Sequence, residues 1–141
     1  AIASYNKAIE IKPDYHQALY NRGNALHNLG RYEEAIASYN KALQIKSDYY
    51  QAWNNQGTAF FLLEQYEKAI ESYDEALEIR PNKPNIFYNK ACCYGLQNEI
   101  DLALENLKKA INLDDKYREM AKTDSDFDNI RQDTRFIELL K

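Results

Sequence analysis

The chain repeats itself, and the period limits what it can fold into. Ala1-Ile-Ala-Ser-Tyr-Asn-Lys-Ala-Ile-Glu-Ile-Lys-Pro13 returns as Ala35-Ile-Ala-Ser-Tyr-Asn-Lys-Ala-Leu-Gln-Ile-Lys-Ser47, then as Ala69-Ile-Glu-Ser-Tyr-Asp-Glu-Ala-Leu-Glu-Ile-Arg-Pro81, each copy 34 residues after the last. A weaker copy runs from Ala103 to Asp115. A second element alternates with the first: Ala18-Leu-Tyr-Asn-Arg-Gly-Asn-Ala-Leu, Ala52-Trp-Asn-Asn-Gln-Gly-Thr-Ala-Phe, Ile86-Phe-Tyr-Asn-Lys-Ala-Cys-Cys-Tyr. Within both elements the apolar residues fall at three- and four-residue steps (Ala35, Ile36, Tyr39, Ala42, Leu43; Ala52, Trp53, Gly57, Phe60), which predicts helices with one buried stripe. Such a unit cannot bury its apolar stripes alone, so the copies are expected to stack.

Punctuation and composition agree with helices. Asp14 with Gln17, and Asp48 with Gln51, have capping-box spacing ahead of the second element. Asn82 is the expected cap in the third copy, with Pro84 in the first turn, while Pro13 and Pro81 end the helices before them. Valine is absent and threonine occurs only at Thr58, Thr123 and Thr134, which argues against a sheet-rich fold. A formal net charge of −4 argues against a nucleic-acid binder, which needs clustered cations. No apolar run has the length of about 20 residues that spans a bilayer, and no secretory signal is visible at the start, where Ala1 in place of Met leaves a processed beginning open. The two cysteines are the neighbours Cys92 and Cys93. They are poorly placed to staple a small fold, and a reducing, cytoplasmic setting is expected.

These residues resemble the tetratricopeptide repeat (TPR) pattern, seen here as Trp53-x2-Gln56-Gly57-x2-Phe60, Ala69-x3-Tyr73 and Pro81. Arg22, Gln56 and Lys90 stand where leucine is usual, and Ala91 replaces the third copy's glycine. That glycine position lies where two helices approach closely, and alanine is expected to fit it. The resemblance implies an all-α, right-handed superhelix of antiparallel helix pairs, an α-solenoid. Its expected divisions are 1–13, the second helix of a truncated repeat, then full repeats over 14–47, 48–81 and 82–115, and a C-terminal capping segment over 116–141. That last segment resembles the closing helices of bacterial TPR arrays. It offers Met120, Phe127, Ile130, Phe136, Ile137 and Leu140 to cover the final repeat.

By the same resemblance, the first helices of successive pairs line a concave groove that takes a peptide. The first pair would present Gln17, Tyr20, Asn21, Asn24, His27 and Asn28. The second would present Gln51, Asn54, Asn55, Thr58, Phe61 and Leu62, and the third Asn85, Tyr88, Asn89 and Cys92. This wall is amide-rich and aromatic, and it carries no lysine or arginine. Asn21, Asn55 and Asn89 recur one repeat apart and are expected to form a ladder. It is similar to the amide ladder of the O-linked N-acetylglucosamine transferase superhelix, which holds a peptide main chain. The competing reading is that each asparagine bonds inside the array. The carboxylate clamp of other TPR proteins is matched at Asn24 and Asn55 only. Its cationic positions hold Tyr20, Asn85 and Asn89, so acidic tails are disfavoured. Trp53 is expected in the core.

No catalytic, metal or cofactor site is expected. His27 and Cys92 fall two repeats apart, on the order of 20 Å at ordinary helix spacing, too far for a nucleophile and its base. Two histidines and two adjacent cysteines lack zinc-ligand spacing. The expected role is a non-catalytic protein-interaction module with a protein or peptide partner, and no nucleic acid or membrane. The alternative is a structural self-assembly element. The first helix lacks its usual partner, so Ile2, Tyr5 and Ile9 form an apolar edge. That edge suggests a piece of a longer protein, with weak homodimerisation as the consequence.

Overall fold

The computed structural model describes residues 1–141. The chain is all helix, without strands: α1 (Ile2–Ile11), α2 (His16–Asn28), α3 (Tyr32–Ile45), α4 (Tyr50–Leu62), α5 (Tyr66–Ile79), α6 (Pro84–Leu96), α7 (Ile100–Leu113), α8 (Lys116–Thr123), a 3-10 segment (Ser125–Ile130) and α9 (Thr134–Leu139). It divides into two compact units, Ala1–Ile79 and Arg80–Lys141. No helix is long and apolar enough to cross a membrane.

In the first unit α2 pairs with α3 and α4 with α5, while α3 also packs on α4 and α1 on α2. The core threads through the pairs: Leu26, Ala35, Tyr39, Leu43 and Ala52 are buried together, with Ile2, Tyr20, Tyr49 and Trp53 against them. Trp53 is therefore half-buried, and its indole N–H donates to the Ser47 carbonyl at 3.0 Å. Alanine at 35, 42, 52, 59, 69 and 76 is buried completely, so the helices approach without side chains to spare. The closest approach explains the repeat glycines. A Cβ on Gly23 would lie 2.5 Å from Cε1 of Tyr39, and one on Gly57 2.6 Å from Cε1 of Tyr73. Each glycine accommodates the tyrosine ring of its partner helix. In the second unit the same register holds Ala91 and Leu107, both fully buried. A narrower aliphatic partner leaves room for the extra methyl.

The residues that depart from the usual leucine have a structural role. Arg22 donates through Nε to Ser38 Oγ (3.1 Å) and through Nη1 to Asn6 Oδ1 (2.9 Å), and Ser38 Oγ donates to the Leu19 carbonyl at 2.6 Å. Gln56, one repeat later, is buried but satisfied: its Nε2 donates to Asn40 Oδ1 at 2.5 Å, and its Oε1 accepts from Ser72 Oγ at 3.3 Å. Both side chains bond to an asparagine on the preceding repeat's second helix. They fix how neighbours stack, since a buried amide without partners would be costly.

Two expectations about helix ends fail. Tyr15 and Tyr49 occupy the N-cap positions of α2 and α4, and neither helix has a side-chain cap. The aspartates of the expected capping boxes sit one residue too early to reach the first turn. Asn82 likewise does not cap α6, whose N-cap is Lys83 ahead of Pro84. The chain leaves α2, α4 and α6 through a left-handed residue at Gly30, Glu64 and Asn98, with φ of 78°, 61° and 61°. Only the first is the glycine this conformation favours.

In the second unit α6 pairs with α7, α8 and α9 lie on α7, and the 3-10 segment lies on α6. Phe127, Ile130, Phe136 and Leu140 are buried as expected, but Met120 and Ile137 are 46% and 44% exposed. The short helices turn those two outward. Asp124 and Asp133 cap the segments that follow them, accepting from the N–H groups of Asp126 and Arg135. Arg131 donates to the carbonyls of Ala121, Lys122 and Asp124. Arg118 donates to those of Leu139 and Lys141. Two guanidinium groups thus satisfy the carbonyls that short helices leave unpaired.

Candidate functional site

The first unit brings several of the expected groove residues together. Asn24, His27 and Asn28 on α2, Tyr39 on α3, and Asn55 and Thr58 on α4 line a recess of about 320 Å³. Helical steps of three and four residues place 24, 27 and 28 on one face. The 34-residue period places Asn55 and Thr58 on the matching face of the next repeat.

A hydrogen-bond network braces the recess. The Tyr39 hydroxyl donates to Asn24 Oδ1 at 2.5 Å. Asn55 Nδ2 donates to the same oxygen and to the Tyr20 hydroxyl, both at 3.0 Å. Tyr20 stacks at a tilt on Tyr49, ring centroids 4.6 Å apart. Burial, and then the neighbouring Tyr20, push the Tyr39 phenol up, so it stays protonated and a donor. Thr58 Oγ1 lies 3.0 Å from the Tyr73 hydroxyl. His27 packs edge-on to Tyr32 at 5.1 Å. Its Nδ1 is buried without a hydrogen-bond partner, and burial lowers its pKa below the ordinary 6.5. The ring is therefore neutral at pH 7. No lysine, arginine, aspartate or glutamate lines the recess.

The other expected residues of this unit spread around it. Gln17, Gln51 and Leu62 are exposed, and Asn21, Asn54 and Phe61 half-buried. Phe61 sits edge-on to Tyr66 at 5.6 Å, repeating one turn of the array later the contact of His27 with Tyr32. The Asn54 side-chain oxygen is buried and unpaired. Asn55 joins Tyr20 and Asn24 rather than Asn21, so its donors are spent inside the protein. On α1, Ile2, Tyr5 and Ile9 are half-buried, and no residue of that helix is fully buried.

In the second unit the expectation needs correcting. Asn85 is exposed and Asn89 half-buried, but Tyr88 and Cys92 are each only 5% exposed. The Tyr88 hydroxyl donates to Asp124 Oδ2 at 2.7 Å, and the Cys92 thiol lies 3.9 Å from the same oxygen. The 3-10 segment covers them, so they wall no open face. The donor atoms of Cys92, Asp124 and Asp126 lie within 4.8 Å of one another. Yet Asp124 is already engaged by Tyr88 and by the Asp126 N–H. Burial, then the two carboxylates, push the Cys92 thiol well up, and burial takes Cys93 up to about 12. Both thiols stay protonated in these buried surroundings.

Stacked pairs of short antiparallel helices, with glycine against tyrosine in the first two and alanine with leucine in the third, define a helical-repeat array. The chain belongs to the tetratricopeptide repeat family: one model of that repeat matches residues 16–49 and 50–83, a second matches 1–30 and a third 72–105. A crystal structure of MamA superposes with a TM-score of 0.86 at 19% identity, covering 99% of this chain and 80% of that one. MamA from Desulfovibrio magneticus RS-1 gives 0.79 at 21%, covering 98% and 82%. YrrB, described as a TPR protein with an unusual peptide-binding site, gives 0.74 at 23%, covering 99% and 79%. At these identities the likeness is one of fold. An uncharacterized protein of Methanocaldococcus jannaschii is 54% identical over 35 residues, spanning 25% of this chain and 41% of that protein. TPR repeats typically form non-catalytic modules that bind other proteins.

Proposed function

We propose that this chain is a protein-interaction module that holds a peptide segment of its partner on the face formed by the first helices of its repeats. The observation that carries this reading is the uncharged recess of about 320 Å³ built jointly by α2 and α4. Its network fixes the recess in place, and a preformed site loses less freedom on binding. Gln17, Tyr20, Asn21, Gln51, Asn54, Phe61 and Leu62 extend that face in the first unit, and in the second unit α6 carries Asn85 and Asn89 at the same repeat positions. The lack of cations favours neutral or extended segments over acidic tails. A peptide held this way would bind at roughly micromolar strength. That YrrB is described as having a peptide-binding site adds to the reading by analogy of fold alone.

The repeats are taken as 14–47, 48–81 and 82–115, and residues 116–141 as the cap that covers the last of them. The cytoplasm, where the two cysteines would remain thiols, is the compartment we infer. Selection from a displayed peptide library, followed by hydrogen exchange with a selected peptide, tests the proposal. Protection is expected on residues 17–28 and 51–62. Binders that protect only other surfaces, or no binders at all, would refute it. A second reading rests on α1, where Ile11 is 79% exposed and Ile2, Tyr5 and Ile9 are half-buried. Two copies could cover that edge. Light scattering over a dilution series checks this: a monomer at every concentration removes it.

A further inference from the structure

We infer that the recess between α2 and α4 is a side-chain pocket for a primary amide, the head group of an asparagine or glutamine in the bound segment. The inference builds on the proposed peptide-binding face and adds the chemistry selected there.

The lining holds polar atoms that its own network leaves unspent. Asn55 uses both Nδ2 hydrogens, on Tyr20 and Asn24, which leaves its Oδ1 as an open acceptor. Asn24 accepts at Oδ1 from Tyr39 and Asn55, which leaves its Nδ2 as an open donor. His27 adds a buried ring nitrogen without a partner. An occupant must therefore bring donors and an acceptor together, and a primary amide carries two N–H groups and a carbonyl on one small head. A carboxylate brings no donor and an ammonium no acceptor. Either would give up water for a lining with no opposite charge. An aliphatic side chain would leave all three positions unpaired.

The fold does not itself require polarity at every position of this lining. Where the first repeat has Asn24, His27 and Asn28, the second has Thr58, Phe61 and Leu62. The ring contact at that position is made equally by His27 on Tyr32 and by Phe61 on Tyr66. A phenylalanine would satisfy the packing at 27, so the ring nitrogens of His27 are an addition, while Asn24, like Thr58, partners the tyrosine of its pair. The network also holds them in place: Tyr39, whose hydroxyl anchors Asn24, is 1% exposed and lies against Gly23.

Three probes test the inference on the intact, isotope-labelled chain: N-acetylglutamine N-methylamide, its glutamate analogue and its leucine analogue. All carry the same two backbone amides. The glutamine probe is expected to shift the side-chain amide resonances of Asn24 and Asn55 and the ring resonances of His27. It should bind at least about tenfold more tightly than either analogue, the effect of one satisfied hydrogen-bonding pair. The double variant His27→Phe/Asn28→Leu, which imports the second repeat's residues and leaves Asn24 and Asn55 in place, should weaken that preference by the share His27 supplies while keeping the parent melting curve at pH 7. Equal binding of the leucine probe would assign the recess to peptide backbone and overturn the inference, as would the absence of any shift. The peptide-binding face is judged separately by library selection. Peptides that protect α2 and α4 without favouring an amide side chain would leave that reading standing and this one refuted. A glutamine probe that binds when no peptide does would reverse the outcome.

Discussion

Helices α2 and α6 carry the same repeat register but meet different neighbours. At one register position α2 has His27, α4 has Phe61 and α6 has Gly95. In the first unit each ring leans edge-on against a tyrosine of the next helix, and His27 helps wall the recess. In the second unit the ring is absent, and the chain's own tail takes the space. A Cβ on Gly95 would stand 2.9 Å from the Asp126 carbonyl and 3.0 Å from the Phe127 ring. Tyr20 and Tyr88 show the same division. Tyr20 supports Asn55 beside an open recess, whereas Tyr88 donates to Asp124 beneath the 3-10 segment. One register position can therefore serve an open face or a closed contact, and side-chain size decides which.

The tail keeps part of the repeat's geometry. Tyr117 stacks on Tyr88 at 5.0 Å and 35°, close to the 4.6 Å and 34° of Tyr49 on Tyr20. The chain thus begins its last segment as a further repeat would, then departs at Asp124 into the 3-10 segment. Arg131 gathers three carbonyls there.

Replacing Gly95 with phenylalanine, the residue at 61, would break the contrast most sharply. With the tail's backbone in the way, the ring is expected to displace the 3-10 segment and cost about 3 kcal/mol or more, the upper end for overpacking. Urea unfolding measures the loss, and hydrogen exchange should show residues 125–130 unprotected.

The contrast between Gly57/Tyr73 and Ala91/Leu107 gives a double-mutant cycle of smaller size. Gly57→Ala should cost about 1–3 kcal/mol through its clash with the tyrosine ring. Adding Tyr73→Leu should remove that penalty, because the second unit already packs alanine with leucine. A Gly57→Ala cost that is the same in the two backgrounds would break the pairing argument.

The pH dependence should be weakest, and opposite in sign in the two units. His27 has its pKa lowered by burial, so the unfolded chain binds its proton more readily. Stability should fall as pH drops from 6.5 towards the lowered value, and His27→Phe should abolish that loss. Asp126 has its pKa raised above 3.8 by burial and then by Asp124. The folded chain binds that proton more readily, so stability should rise as pH falls through the raised value. Asp126→Asn should flatten the rise. Melting temperatures of the parent and both variants between pH 7 and 4 separate the two contributions.

Much of this could be read in the chain. The 34-residue recurrence dictated helix pairs, their stacking and the small residue where two helices approach closely, because period and side-chain volume are local properties. It also grouped Asn24, His27, Asn28, Asn55 and Thr58 on matching faces. The capping boxes misled because Tyr15 and Tyr49, not the aspartates, stand at the helix boundaries. Glycine at 95, where earlier copies carry rings, was the available sign that α6 is covered.

Tertiary structure alone decided which polar atoms were spent and which left over. Asn55 gives its donors to Tyr20 and Asn24, residues 35 and 31 positions away, and Asp124 reaches Tyr88 across 36. Helical periodicity sets the direction of a side chain, but a hydrogen bond forms only when two directions meet within about 3 Å. That meeting depends on how helices pack, which no single segment of sequence records.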